Sequence, residues 1–175
     1  QAFQGKAFAK HGIQQVEYTD HPAFLLGNGL DRPILMPANE YLDVLPSRQF
    51  QFNGGAWRER RIGLDAEGGF AFVLGEDALE PLGMDVTLRF SAPPEGAIYE
   101  HSMQRDEVVG LTAIHIRERG GVALFIDYGH GTSRFGDSLQ ALKDGRPANP
   151  LVDPGQADIT SHVDFAAIAR SAERM

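Results

Sequence analysis

Cysteine is absent from all 175 residues. Its absence excludes disulfides and thiolate metal centres, and it fits a reducing compartment such as the cytosol. A long apolar run is missing too: no stretch approaches the roughly 20 residues that a membrane-spanning helix needs. Positive charge is scarce, with 16 Lys and Arg against 24 Asp and Glu and a net charge of −8. No window is densely basic. Nucleic acid and anionic membrane are therefore disfavoured as partners, because phosphate binding draws on clustered Lys and Arg. An acidic surface stays compatible with a basic peptide. The opening Gln1-Ala-Phe-Gln-Gly-Lys6 has neither an apolar signal core nor an initiator methionine, which points to an excerpt of a longer protein.

What is present is enough apolar sequence, 42%, for about one core. Two short apolar runs stand out as buried strands, Ile34 to Met36 and Val122 to Ile126. The first stops at Asn39 and Glu40, with Asp43 three residues on; the second stops at Asp127, Tyr128, Gly129 and His130. Ligands of open α/β sheets bind beyond the carboxyl ends of the strands, so two such ends suggest one shared pocket.

Around these strands the pattern is mixed. Residues 1–11 read as the end of a helix closed by Gly12, Gln14 to Tyr18 as an edge strand, and Pro22 to Leu26 as a helical turn. Asn39 is placed to cap a helix from Glu40 to Leu45, which Pro46 ends. Arg48 to Phe52 and Ala56 to Ile62 flank Asn53-Gly54-Gly55 as a hairpin, and Phe70 to Leu74 adds a third strand after a turn over Asp65 to Gly69. Residues 75–97 are rich in turns. Met103 to Arg119 fits an amphipathic helix, with Val108, Leu111, Thr112 and Ile116 inward and Gln104, Arg105 and Glu118 outward. Helix followed by strand is the alternation of a parallel sheet. Residues 129–157 read as a long functional loop with a short helix near Ser138 to Lys143. Asp164 then opens a final helix to Met175.

Each candidate site residue has a structural role to weigh against chemistry. Glu40 and Asp43, at i and i+3 of a helix, would share one face; equally, both acids would favour the helix's positive end. Gly129 would allow a sharp turn or a close backbone approach to a ligand. His130 titrates near working pH and could contact substrate or relay a proton, while Asp127 could simply stabilise that turn. In Ile159 to Asp164, alternation puts Thr160, His162 and Asp164 on one side of an extended segment, with Asp164 as a helix cap. Glu100 and His101 read as capping or structural hydrogen-bonding groups ahead of the long helix.

Three segments, Ala38-Asn-Glu-Tyr-Leu-Asp-Val-Leu-Pro46, Gly120-Gly-Val-Ala-Leu-Phe-Ile-Asp-Tyr-Gly-His130 and Asp153-Pro-Gly-Gln-Ala-Asp-Ile-Thr-Ser-His-Val-Asp-Phe165, carry a resemblance. Together they resemble the MidA-like S-adenosylmethionine-dependent methyltransferases, a family linked to arginine methylation and respiratory complex I assembly. Trp57-Arg-Glu-Arg60, Tyr99-Glu-His-Ser102 and Gly136-Asp-Ser-Leu-Gln-Ala141 fall in the family's order. The resemblance spans about residues 13 to 172. It does not extend to the family's glycine-rich cofactor loop or to its acidic ribose ligand, neither of which has a match here, so the chain reads as the central and distal part of such an enzyme.

The resemblance implies a partial Rossmann-like α/β sheet, over residues 1–46 and 101–175, interrupted by an antiparallel meander over 47–100. It implies S-adenosylmethionine as cofactor, a protein presenting an arginine as partner, and no metal. Glu40 and then Asp43 would be catalytic, Asn39 and Asp20 would bind cofactor, and Asp127, His130 and His162 would bind substrate. A guanidinium stays protonated near neutrality, so carboxylates must hold its fork and accept a proton as methyl transfer proceeds in line. The cytoplasm is implied for a bacterial source and the mitochondrial matrix for a eukaryotic one. Two other readings compete. One is a hydrolase whose metal is held by Asp127, His130, His162 and Asp164. The other is a non-catalytic assembly module that clamps a partner through the meander.

Overall fold

A computed structural model describes residues 31–78, 84, 88 and 91–175. The elements expected over residues 1–26, and Asp20 with them, lie outside these residues. The two apolar runs form β1 (Ile34–Asn39) and β6 (Gly121–Ile126), which pair in parallel from Ile34 opposite Gly121 to Asn39 opposite Ile126. Gly121 is required by this pairing: its φ is 121°, and a Cβ there would lie 2.2 Å from the Ile34 carbonyl oxygen. The strands are buried on one face only. Leu35, Val122, Leu124 and Ile126 are exposed, because side chains alternate along a strand and no described element covers that face.

Between these strands the chain forms an antiparallel sheet in the order β4-β3-β2-β5, from β2 (Arg48–Asn53), β3 (Ala56–Leu64), β4 (Phe70–Leu74) and β5 (Ile98–His101). The expected hairpin joins β2 to β3. Gly54 and Gly55 fill its two-residue loop with φ of 60° and 80°, the left-handed pair that a tight hairpin favours. Phe50 and Tyr99 of this sheet pack with Met84 as one apolar cluster.

The long helix, α1 (Met103–Arg119), has the expected bounds. Ser102 caps its start by accepting from the Arg105 N–H at 3.3 Å, and Gly120 closes its end at φ 84°. The helix C-terminal residues lead directly into β6. Helix α2 (Phe165–Glu173) is capped as expected by Asp164, whose Oδ1 accepts from the Ala167 N–H at 2.9 Å. The main core lies between these helices and the strand ends, with Leu42, Leu45, Val108, Val109, Val163 and Ile168 buried together.

Three expectations are corrected. Residues 40–45 form a turn rather than a helix, because backbone N–H groups there bond a side chain far along the chain, as described below. The helix expected near Ser138 to Lys143 is instead β8 (Gln140–Lys143), paired antiparallel with β9 (Arg146–Ala148) and β10 (Asp158–Thr160). Asp144 and Gly145 make its hairpin turn, with φ of 52° and 70°. Arg105, expected on the outer face of α1, is 5% exposed.

Candidate functional site

Beyond the ends of β1 and β6, Glu40, Asp127 and Tyr128 are locked to one another and to the turn that follows β1. Glu40 follows Asn39, the exposed last residue of β1, and has a φ of 47°, a backbone conformation uncommon for a residue with a side chain. Its N–H donates to the Ile126 carbonyl at 2.8 Å, which continues the parallel pairing by one residue. Its Oε1 accepts from the Tyr128 hydroxyl at 3.1 Å. Asp127 braces the turn: Oδ2 accepts from the N–H of Leu42 at 2.8 Å and of Asp43 at 3.2 Å, and Oδ1 from the N–H of Tyr128 at 2.9 Å. Asp127 thereby does for this turn what a capping residue does for a helix start.

Asp43 is 6% exposed, and its Oδ1 has no hydrogen-bond partner. Burial, followed by the charge of Asp127, pushes its carboxyl above the usual range. Glu40 adds to this, while the Val44 N–H and Arg105 oppose it. The Tyr128 phenol is raised as well, first by its hydrogen bond to Glu40 and then by that residue's charge.

Arg105 joins this acidic turn to the His162 segment. Its Nε donates to the Leu42 carbonyl at 2.7 Å, Nη1 to the His162 carbonyl at 2.8 Å, and Nη2 to the carbonyls of Asp43 at 3.1 Å and Ser161 at 2.9 Å. Nη2 also reaches Ser161 Oγ at 2.8 Å. The guanidinium is satisfied by carbonyls rather than by a carboxylate, and burial pulls its pKa below the usual arginine value.

The other predicted residues sit in a cavity of about 200 Å³ between the β5–α1 junction, residues 134–138 and the start of α2. His130 and His162 line it with His101, Arg134 and Ser138. His130 lies in β7 (Gly129–His130), which pairs in parallel with β11 (Val163–Asp164). Gly129 makes its close approach to the Val163 backbone rather than to a ligand: a Cβ there would lie 2.0 Å from the Val163 carbonyl oxygen. His130 Nδ1 is buried without a partner, and burial lowers the imidazole's pKa. Ser161 and Val163 are buried while His162 and Asp164 are partly exposed, so the predicted alternation holds from Ser161 to Asp164; Ile159, expected on the inward side with them, is instead 43% exposed. Glu100 has the structural role expected of it, accepting from Gln49 Nε2 at 2.7 Å and from the Ser138 N–H and hydroxyl.

The predicted residues thus form two groups: Asn39, Glu40, Asp43 and Asp127 at the strand ends, and His130 and His162 in the cavity. Arg105 touches both. Neither Arg105 nor Tyr128 was singled out from the sequence; Tyr128 stood inside a noted motif, whereas nothing in the spacing marks Arg105 as buried. Among the described residues, no three His, Cys, Asp or Glu side chains are arranged to hold a metal ion. No described helix is long and apolar enough to cross a membrane.

Residues 3–175 match the family described as "Putative S-adenosyl-L-methionine-dependent methyltransferase". The chain is similar to the mitochondrial protein arginine methyltransferase NDUFAF7 homolog of Drosophila melanogaster, with 33% identity over 150 residues that cover 79% of this chain and 32% of the relative. It is 31% identical over 147 residues to the mitochondrial protein arginine methyltransferase NDUFAF7 of Homo sapiens, covering 78% of this chain and 30% of that one. The chain therefore spans about a third of the length of the curated relatives it matches. A crystal structure of an uncharacterized protein from Burkholderia thailandensis shares the fold, with a TM-score of 0.73 and 24% identity over 99% of this chain and 46% of its own. A second structure from that organism, bound to S-adenosyl-homocysteine, has a TM-score of 0.68 and 26% identity over 84% of this chain and 39% of its own.

Proposed function

The chain belongs to the MidA-like family of S-adenosylmethionine-dependent methyltransferases, and from that premise we propose that the protein methylates the guanidinium of a protein arginine. The observation that carries the reading is the acidic turn at the ends of the parallel strands, where strained Glu40 and buried, partly unpartnered Asp43 share one braced structure. The names of the relatives support arginine as the acceptor.

The residues present fit a cofactor with hydrogen-bond donors and positive charge, since Asp43 Oδ1 is an acceptor with no partner in a buried setting. Asn39 would hold such a group, as Asp20 would from outside the described residues. Bound S-adenosylmethionine supplies a methyl group on a positively charged sulfur. The chain's own part is orientation and proton transfer. Glu40 pairs with the guanidinium fork, and the Tyr128 hydroxyl fixes one of its oxygens. Asp127 holds the turn so that neither acid needs to reorganise during the reaction. Asp43, its proton affinity raised, accepts the proton released when the nitrogen gains a methyl group. His130 and His162 contact the peptide in the adjoining cavity. By the family link the target is a respiratory complex I subunit, in the matrix for a eukaryotic protein and in the cytoplasm for a bacterial one.

The test is Glu40→Gln in the full-length protein, measured by transfer of labelled methyl to arginine peptides. We expect turnover to fall at least ~100-fold with cofactor affinity unchanged. Wild-type turnover would remove Glu40 from the mechanism. A wild-type protein that binds a partner but shows neither cofactor affinity nor transfer would instead be an assembly module.

A further inference from the structure

Tyr128 is 58% exposed, yet its position is fixed from three sides. Its N–H donates to Asp127 Oδ1 at 2.9 Å, its carbonyl accepts from the Val163 N–H at 2.8 Å, and its hydroxyl donates to Glu40 Oε1 at 3.1 Å. Water would satisfy an exposed phenol equally well, so the bond to Glu40 matters for direction more than for stability. It occupies one carboxylate oxygen and leaves the other open.

The charge around the ring is one-sided. Glu40, Asp43 and Asp127 meet here, and none of the three forms an ion pair with a Lys or Arg among the described residues. Arg105, the neighbouring cation, is turned to backbone carbonyls and the Ser161 hydroxyl. A second observation marks the cluster as a ligand site rather than a solvated acidic face: Asp43 is more than nine-tenths buried and one of its oxygens has no partner.

We propose that Tyr128 is a substrate-contacting residue, its hydroxyl aligning Glu40 while its exposed ring face receives the planar cation of the acceptor arginine. This rests on the arginine reading given above and adds a specificity element to it. A guanidinium stacks on an aromatic face and pairs with a carboxylate in its own plane, so an aromatic ring next to a half-occupied carboxylate selects it over the compact lysine ammonium.

Two substitutions in the full-length protein separate the two parts of Tyr128. Tyr128→Phe keeps the ring and removes the hydroxyl; kcat on an arginine peptide should fall about fivefold with KM within twofold of wild type. Tyr128→Leu removes the ring as well, and KM for the peptide should rise about two- to fivefold besides. S-adenosylmethionine affinity and Tm should stay at wild-type values in both. Wild-type kcat and KM in both variants would overturn the proposal, as would equal KM values for the Phe and Leu variants. Ultraviolet titration of the phenols gives a readout independent of activity: Glu40→Gln should lower the apparent pKa of one tyrosine, and an unchanged curve would overturn the Tyr128–Glu40 pairing. A wild-type protein that methylates no arginine peptide, while the titration difference is present, overturns the arginine reading and leaves the pairing standing.

Discussion

Arg105 Nε lies 2.7 Å from the carbonyl oxygen of Leu42, and Nη1 of the same guanidinium lies 2.8 Å from that of His162. One side chain from the first turn of α1 thus fixes the acidic turn after β1 against the segment that leads into α2. The arrangement couples the two groups of candidate residues mechanically, since neither backbone segment can shift without breaking a buried bond.

That coupling sets the first prediction. Arg105→Met keeps most of the side-chain volume but leaves the carbonyls of Ser161 and His162 without a donor, while those of Leu42 and Asp43 keep only the N–H groups of Leu45 at 3.2 Å and Ser161 at 3.0 Å. Each buried acceptor left unpaired costs about 1–3 kcal/mol, so a net loss of about 3 kcal/mol or more is expected. Urea denaturation measures it. Arg105→Lys should recover only part, because an ammonium lacks the fork that reaches all four carbonyls. A loss below about 1 kcal/mol in the Met variant would show that water replaces the guanidinium there.

Gly129→Ala tests the backbone contact that carries His130. A methyl group would have to occupy space 2.0 Å from the Val163 carbonyl oxygen, and that neighbour is backbone with nowhere to turn. Separation of β7 from β11 should cost about 3 kcal/mol and shift the imidazole resonances of His130. A variant with wild-type stability and spectra would mean that the two segments are free to part.

How far the sequence reveals this structure depends on the range of the forces involved. The hairpin at Gly54-Gly55, the bounds of α1, the parallel strand pair and the Asp164 cap all follow from local rules of turn chemistry, periodicity and capping. The β8–β9 hairpin is also legible, since Asp144-Gly145 is as strong a hairpin signal as Asn-Gly, although the expectation for Ser138 to Lys143 is a short helix. The turn at Glu40 to Leu45 was not legible. Its sequence suits a capped helix, and what prevents one is the Asp127 carboxylate, 84 and 85 residues away from the N–H groups it binds. Arg105 is hidden for the same reason, because its partners are carbonyls 56 to 63 residues distant. Among the candidate site residues, Glu40, Asp43 and Asp127 do come together. The sequence could not show that Asp127 works as a brace or that His130 and His162 occupy a separate cavity.

The raised carboxyl of Asp43 makes stability depend on pH in a defined direction. A group whose folded pKa lies above its unfolded value contributes fully below the unfolded value and loses that contribution as pH rises through the folded one. Asp43→Asn cannot ionise, so wild type and variant should be equally stable below about pH 4, and the variant should gain on wild type as pH rises towards neutrality. Denaturation midpoints across that range provide the check. Parallel curves for the two proteins would mean that the carboxyl is not raised. The same variant should lose methyl transfer at every pH if Asp43 is the proton acceptor.

Glu40→Gly sets strain against chemistry at a single position. The φ of 47° at Glu40 costs a residue with a Cβ about 1 kcal/mol relative to glycine. Glycine also makes the unfolded chain more flexible, which offsets up to about 1 kcal/mol of that relief. The hydrogen bond lost to Tyr128 is exposed and worth little. The variant should therefore match wild type in stability or exceed it by up to about 1 kcal/mol, while methyl transfer is abolished. Thermal unfolding and the transfer assay on the same preparation give both numbers. If stability instead falls by more than about 1 kcal/mol, the carboxylate is holding the turn, and its conservation of shape rather than its chemistry explains the strained backbone. If stability holds and turnover disappears, the strain at Glu40 is maintained for catalysis, since among the described residues only the exposed bond to Tyr128 otherwise uses that side chain.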